Sequence, residues 1–181
     1  PINQKEATNR QTNDRFSTNG SLQFNRKLNS KGRNIALRLY YNLDNGNSDR
    51  YSLANTYYLK YGDSIKVQNQ WIDNLNRNHE YRVQLTYMEP VFTNHFIEIN
   101  YSYQHRSSLS EKYAYDWNDL EDSYSQYPDT AQSDCYKNKY SIHQVGAFFR
   151  TIRTNYFYNI GIEIEPQQTT NQSYMRDTTL E

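Results

Sequence analysis

Cysteine occurs once, as Cys135, so the chain has no internal disulfide framework, and its four histidines show no ligand-like spacing with it or with one another. Glycine is scarce, six residues in 181, and neither a phosphate-binding glycine loop nor a nucleophile elbow is present. An excess of one charge is missing as well. Twenty basic residues balance twenty acidic ones, so no net field draws the chain to nucleic acid or to an anionic surface. No apolar run approaches the roughly 20 residues that a membrane-crossing helix needs, and the opening "PINQKEATNRQTNDRF" has no signal-peptide core. These absences exclude helical membrane proteins. They leave β-barrels open, because a crossing strand needs only about 9 to 11 residues with apolar groups on one face.

What the chain does have is tyrosine. There are 19, and aromatic residues make up 15% of a sequence whose hydrophobic content is only 35% and whose mean hydropathy is −1.10. Large aromatics bury area and drive collapse, so the polar average does not mean disorder. A length of 181 residues fits one fold unit, or a piece of a larger one.

Residues 1–19 are polar and rich in Asn, Gln and Thr, which predicts a loop or tail. From 20 to 166 the chain reads as strands and loops. Leu22, Phe24 and Leu28 share one parity before the turn "NSKGRN". Ile35, Leu37, Leu39, Tyr41 and Leu43 then alternate with Ala36, Arg38, Tyr40 and Asn42. The odd parity returns at Tyr51, Leu53, Tyr57 and Leu59, and again at Ile65, Val67, Trp71, Tyr81, Val83, Leu85 and Tyr87. That predicts a long hairpin tipped near Gly62, since a slip of one residue would flip every side chain. Glu89 and Pro90 are expected to end the strand, because proline cannot donate to a ladder.

Ile97, Ile99, Tyr101 and Tyr103 alternate with Glu98, Asn100, Ser102 and Gln104; residues 107–138 form a long polar segment. After a turn at 151–154, Tyr156, Tyr158, Ile160, Ile162 and Ile164 oppose Asn159, Gly161, Glu163 and Glu165. Residues 167–181 are polar again and predict a second loop or tail.

Soluble sandwiches and membrane barrels share period two, so the links between strands must discriminate. Short links near 29–33, 89–95 and 151–154 alternate with long ones at 44–78 and 107–138. Tight periplasmic turns and large extracellular loops produce that alternation. The expected architecture is all-β, an antiparallel up-and-down meander forming part of a transmembrane barrel with long extracellular loops. Arg38, Arg82, Glu98, Asn100, Gln104, Glu163 and Glu165 are then lumen-facing, and Ile97, Ile99, Tyr101, Tyr103, Ile160, Ile162 and Ile164 lipid-facing. Tyrosines near strand ends suit interfacial girdles. The alternative is a soluble β-sandwich in which the same apolar residues fill a core, serving as a binding module for ligands such as glycans.

The stretch "LTYMEPVFTNHFIEINYSYQ" resembles the Tyr-x-Glu-Pro turn and following alternating strand of the outer-membrane β-barrel family related to TonB-dependent receptors. "NRKLNSKGRNIALRLYYN" and "YNIGIEIEPQQT" look like further hairpins of that family, so the likeness covers roughly residues 20–170. It implies residence in the outer membrane of a Gram-negative bacterium and a receptor role in nutrient import. The partners it implies are lipid, a plug domain, TonB and an unidentified imported ligand, with no nucleic acid. Family members carry a signal peptide, an N-terminal domain, a plug and a C-terminal strand usually ending in an aromatic residue, whereas this sequence ends "TTLE". About six strands are readable and single-chain barrels begin at about eight, so the expectation is a fragment of a larger barrel. A small closed barrel follows instead if 51–60 and 64–72 are separate crossing strands.

No catalytic residue, metal site or cofactor is expected. His95, His105 and His143 fall on different segments, and Glu163 with Glu165 reads as an ordinary polar lining rather than an acid–base pair. The segment with binding character is Glu111 to Asp129, where Tyr113, Tyr115, Trp117 and Tyr124 mix with acids. Aromatic faces stack on sugar rings and carboxylates accept hydroxyls or bind Ca²⁺, though the spacing lacks the sixth-position Gly of an EF-hand loop. A loop that packs its own aromatics and solvates its acids is the competing explanation.

Overall fold

The computed structural model describes residues 3–58, 64–174 and 178–180. The strands are β1 (Asn3–Lys27), β2 (Asn34–Tyr58), β3 (Ser64–Phe92), β4 (His95–Asn118), β5 (Ser123–Tyr124), β6 (Asp134–Ile152), β7 (Phe157–Ile164), β8 (Gln167–Ser173) and β9 (Thr178–Leu180). All pairing is antiparallel. The order is β1-β2-β3-β4-β6-β8-β9, with β7 beside the C-terminal half of β6 and β5 beside the end of β4. This is the expected all-β meander, a single open sheet among the described residues.

The strands are much longer than alternation alone predicts. At about 3.3 Å per residue, the 25 residues of β2 extend about 80 Å. Residues 3–19 are strand rather than loop or tail, paired residue for residue with β2 from Asn42 to Tyr58. Residues 167–173 are also strand, and 107–138 contains the end of β4 and the start of β6, leaving a connection of 119–133. Residues 51–58 continue β2 and 64–72 continue β3, so they are not extra crossing strands and the small closed barrel is ruled out on that count. The tip near Gly62 lies outside the described residues. Pro90 does not end β3. The ladder with β2 stops at Met88, so β3 has only β4 beside it where proline stands, and a register shift between Pro90 and Phe92 absorbs the extra residue.

Direct cross-strand partners share a face, so the ladders sort the side chains. Phe24, Leu37, Leu85, Tyr101, Val145 and Ile164 lie in one row across six strands. The next row holds Ile35, Tyr87, Ile99, Ala147 and Ile162; the row on the other side holds Leu22, Leu39, Val83 and Tyr103. This band stands open: Leu22 is 64% exposed and Ile162 78%. Only Ala54, Ile72, Ala114 and Cys135 are buried hydrophobic residues among those described, so no central core exists.

The opposite face is a polar lattice. Arg82 donates to Gln104 at 2.7 Å and Gln104 to Glu80 at 3.0 Å; Arg150 pairs with Glu98 at 2.8 Å, and Asn100 donates to the same carboxylate at 2.9 Å. Ser102 donates to Gln144, which donates to Glu163 at 2.8 Å. Near the short turns, on the apolar-band face, Arg33 holds Glu89 through two bonds of 2.7 and 2.6 Å, and Tyr87 donates to the same carboxylate. On the polar face Phe148 lays its ring over two glycines. A Cβ on Gly161 would collide with that ring and stand 2.5 Å from the Ala147 carbonyl oxygen, and one on Gly146 would meet the ring at 2.7 Å.

Gly161→Ala is therefore expected to destabilise the sheet by about 1–3 kcal/mol, the range for overpacking. Phe148→Ala in the same chain relieves the ring contact but not the carbonyl one, so chemical denaturation should show partial rescue. Full tolerance of the alanine would contradict this packing.

Candidate functional site

Far from the short turns, at the hairpin end of the sheet, the apolar-band face changes character. Tyr51, Trp71 and Tyr115 are direct partners across β2, β3 and β4. Their rings stack in a row, with centroids 6.5 Å and 4.7 Å apart and planes inclined by 16° and 21°. Register alone produces this ladder, because strands about 4.8 Å apart hold facing aromatics at stacking distance. The Trp71 Nε1–H donates to Asp49 at 3.0 Å, which fixes the indole.

The 119–133 connection folds back onto the ladder. Asn118 accepts the Leu120 N–H, Asp122 adopts a positive φ of 48°, and β5 returns Tyr124 opposite Trp117. Tyr124 tilts over Tyr51 and Trp71 at 5.8 and 6.3 Å, and its hydroxyl donates to Asn69 at 3.2 Å. Trp117 meets Tyr124 edge to face at 5.0 Å. Because β6 begins only at Asp134, the edge of β4 beyond Lys112 would be bare. The connection covers it: Asp129 N donates to the Ala114 carbonyl at 2.7 Å, Ser125 N to that of Asp116 at 2.9 Å, and Ala114 N to Ser133 Oγ at 3.0 Å.

On the other face, amides link this connection to β3. Gln132 donates to Asp129 at 2.6 Å, and its carbonyl accepts from Gln70 at 2.8 Å and Gln68 at 3.2 Å. Gln70 also donates to Asp116 at 2.7 Å. The Gln132 amide and the Ala131 N–H hold the Asp129 carboxyl below the usual carboxylate range. Asp73, on the aromatic face, is pushed up, first by burial and then by the facing carboxylates of Asp49 and Glu111.

Of the four aromatics expected to form a ligand contact, Tyr115, Trp117 and Tyr124 come together. Tyr113 stands apart, opposite Asp73. Tyr51, Trp71, Asp49, Gln70 and Gln132 complete the site and were not singled out from sequence. A signal for the first two existed: a hairpin tipped near Gly62 places Tyr51 within one pair of Trp71. Arg38, Arg82, Glu98, Asn100, Gln104 and Glu163 share the polar face, and Ile97, Ile99, Tyr101, Tyr103, Ile160, Ile162 and Ile164 the apolar one. Glu165 falls in the break between β7 and β8.

His95 bonds Thr151, His105 bonds Ser141 with His79 diagonal to it on β3, and His143 lies beside Tyr101 and Tyr103. Among the described residues no three His, Cys, Asp or Glu groups are placed to hold a metal ion. Neither protein-family models nor curated proteins yield a match to this chain.

Removing the central ring should loosen this end alone. Trp71→Ala is expected to cost about 2 kcal/mol or more, from lost area and three ring pairs. Hydrogen exchange should rise at Tyr51, Tyr115 and Tyr124 while Leu37 and Leu85 keep their protection. Asp73→Asn tests the acidic side. A carboxyl raised in the folded state binds its proton more tightly folded than unfolded, so its ionised form lowers stability at neutral pH. The asparagine variant should be more stable at pH 7, and the advantage should vanish as pH falls through the raised value to below the ordinary carboxylate range.

Proposed function

We propose that this sheet is a wall segment of an outer-membrane β-barrel related to TonB-dependent receptors, with lipid against the apolar band and water against the polar lattice. One observation supports the reading above the rest: a band of apolar side chains runs in register across six strands and stands uncovered, opposite a face of paired charges and amides. In water, leaving an Ile or Leu out forgoes about 1.5–3 kcal/mol each; in a bilayer the same side chains are in their preferred solvent.

The dimensions agree. From Ile35 to Leu43 the band follows β2 for about 27 Å, reduced to about 20 Å by a barrel-like tilt, against an apolar belt of about 25 Å in known barrels. Tyr41 and Tyr81 border one side of it and Tyr158 the other, as interfacial girdles do. Short turns then face the periplasm, and the long hairpins stand in the extracellular medium.

In such a wall, Arg150 with Glu98 and Arg82 with Gln104 and Glu80 keep the lumen side hydrated without leaving a bare charge. The free edges of β1 and β7 pair with further strands of the barrel, because hydrocarbon offers no other partner for their backbone groups. The whole receptor takes up a nutrient at the cell surface and imports it with energy from TonB. Plug and loops do that work, and this segment supplies wall and lumen side chains.

Single cysteines from Ile97 to Tyr103 in the full-length protein, on a Cys135→Ser background and labelled with an environment-sensitive probe in bilayers, test the reading. Ile97, Ile99 and Tyr101 should report an apolar setting that lipid-soluble quenchers reach, while Glu98, Asn100 and Ser102 report water. Apolar odd positions that such quenchers never reach would mean the band packs on protein, and the soluble sandwich would replace the barrel.

A further inference from the structure

Gly46 stands in the interior of β2, and nothing in the chain itself calls for a glycine there. The ladders to β1 and β3 pass it without a bulge, with Arg15 and Asn76 as its direct partners, and its φ is not positive. A Cβ built on it would meet nothing closer than the Asp14 carbonyl oxygen at 3.8 Å, whereas one on Gly146 or Gly161 would strike the Phe148 ring. Glycine weakens a strand interior, and where there is neither bulge nor bend it marks the close approach of a ligand or another backbone. Above Gly46, on the polar face, lies a cavity of about 540 Å³, within the range for ligand sites. It lies beyond the apolar band and on the opposite face, so it exists whatever solvent covers that band.

Two rows of amides wall this trough. Gln11 and Asn13 stand on β1, Asn74, Asn76 and Asn78 on β3, and β2 between them forms a floor of Gly46 and Ser48. Each amide spends one end within the protein. Gln11 donates to Asn13 at 2.7 Å and to Ser48 at 3.1 Å, Ser110 donates to Asn76 at 2.9 Å, Ser108 donates to Asn78, and the Asn74 nitrogen lies 3.5 Å from Ser48 Oγ. The other ends, the Asn13, Asn76 and Asn78 nitrogens and the Gln11 and Asn74 oxygens, have no protein partner among the described residues. Arg15 and Asp44, the charged side chains of the lining on this face, neutralise each other through two bonds of 2.8 and 2.6 Å. No aromatic side chain lines the cavity among the described residues.

A charged ligand finds no net charge here, and an apolar one would leave the amide ends unpaired, at about 1–3 kcal/mol for each that is buried. A sugar would have hydroxyls for the amides but no aromatic plane for its C–H face. An extended peptide suits both walls. Its N–H and C=O groups recur along each edge every two residues, about 6.6 Å, which is the spacing of the asparagines along β3 and of Gln11 and Asn13 along β1. Each wall offers a donor and an acceptor, and the walls stand about 10 Å apart, twice the distance between neighbouring strands, which leaves room for one strand above β2. We propose that this trough binds a short extended peptide, its backbone held between the amides of β1 and β3 and one side chain directed into the space above Gly46.

The test uses the full-length protein, in whatever medium keeps it monodisperse, on an array of immobilised uncharged peptides, followed by titration of the strongest binder. Binding should fall about tenfold or more when Asn76→Ala and Asn78→Ala are combined, since two backbone contacts of ordinary strength are removed. In Gly46→Tyr it should be lost, because the ring fills the trough. The same variant should equal or exceed the wild type in chemical denaturation, since its side chain enters open space and aromatic residues favour strands, which separates lost recognition from lost folding. A wild-type protein that binds no uncharged peptide, peptide binding that survives Gly46→Tyr, or displacement of the bound peptide by a neutral oligosaccharide overturns the assignment. These outcomes are independent of the quenching experiment, which alone judges the membrane reading.

Discussion

Almost everything in this molecule depends on the register of the β2–β3 ladder, in which all 25 residues of β2 find partners without a slip. With a side-chain period of two, moving one strand by a single residue would set Leu37 beside Gln84 and carry the whole apolar set of β3 to the polar face. The band, the polar lattice and the aromatic ladder would all be lost together. A single-layer sheet has no core to correct such an error. Its stability comes from ladder hydrogen bonds, each worth about 0.5–1.5 kcal/mol net, and from cross-strand pairs worth about 0.2–1 kcal/mol. Many small, equivalent contributions hold the register, and the Arg33–Glu89 clamp anchors it at the turn end.

The same ladders give one face two chemically distinct zones. Nearest the turns is the band, from Ile35 to Leu43 on β2; farther along come Asn45, Asn47 and Asp49, with Arg77 and His79 on β3, before aromatic side chains resume at Tyr51 and Trp71. A continuous hydrophobic stripe would suit a protein core of any length. An apolar belt of limited height, a mostly polar interval broken by Leu75 and Leu109, and then an aromatic cluster divide this face into zones of different polarity.

How much of this was legible depended on whether the two faces of a strand differ in polarity. Ile97 to Tyr103 and Ile160 to Ile164 announce period two because one face is apolar and the other polar. Asn3 to Asn19 lacks the signal, because both of its faces are polar; its strand is dictated by the partner residues of β2 and not by its own pattern. Pro90 misled for a different reason. Proline is excluded from a two-sided ladder, and sequence alone does not reveal that β2 ends two residues short of it. The aromatic site was half legible: Tyr115, Trp117 and Tyr124 cluster along the chain, whereas Tyr51 and Trp71 join them only through register.

Long single-layer hairpins raise a question of cohesion, since ordering each backbone residue costs about 1–2 kcal/mol and no second layer covers them among the described residues. The aromatic ladder supplies the missing contact area. Tyr51, Trp71 and Tyr115 bind three strands to one another, and Tyr124 brings the 119–133 connection down on top of them. Cohesion then ends where the ladder ends. The last β3–β4 pair, Gln70 with Asp116, immediately follows Trp71 with Tyr115, and the strands part at once beyond it. The position of the opening between β3 and β4 is therefore a consequence of where the aromatic stack stops. The Gln68, Gln70 and Gln132 amides span the gap that the separating strands leave, which is why a polar network forms there and not a frayed end.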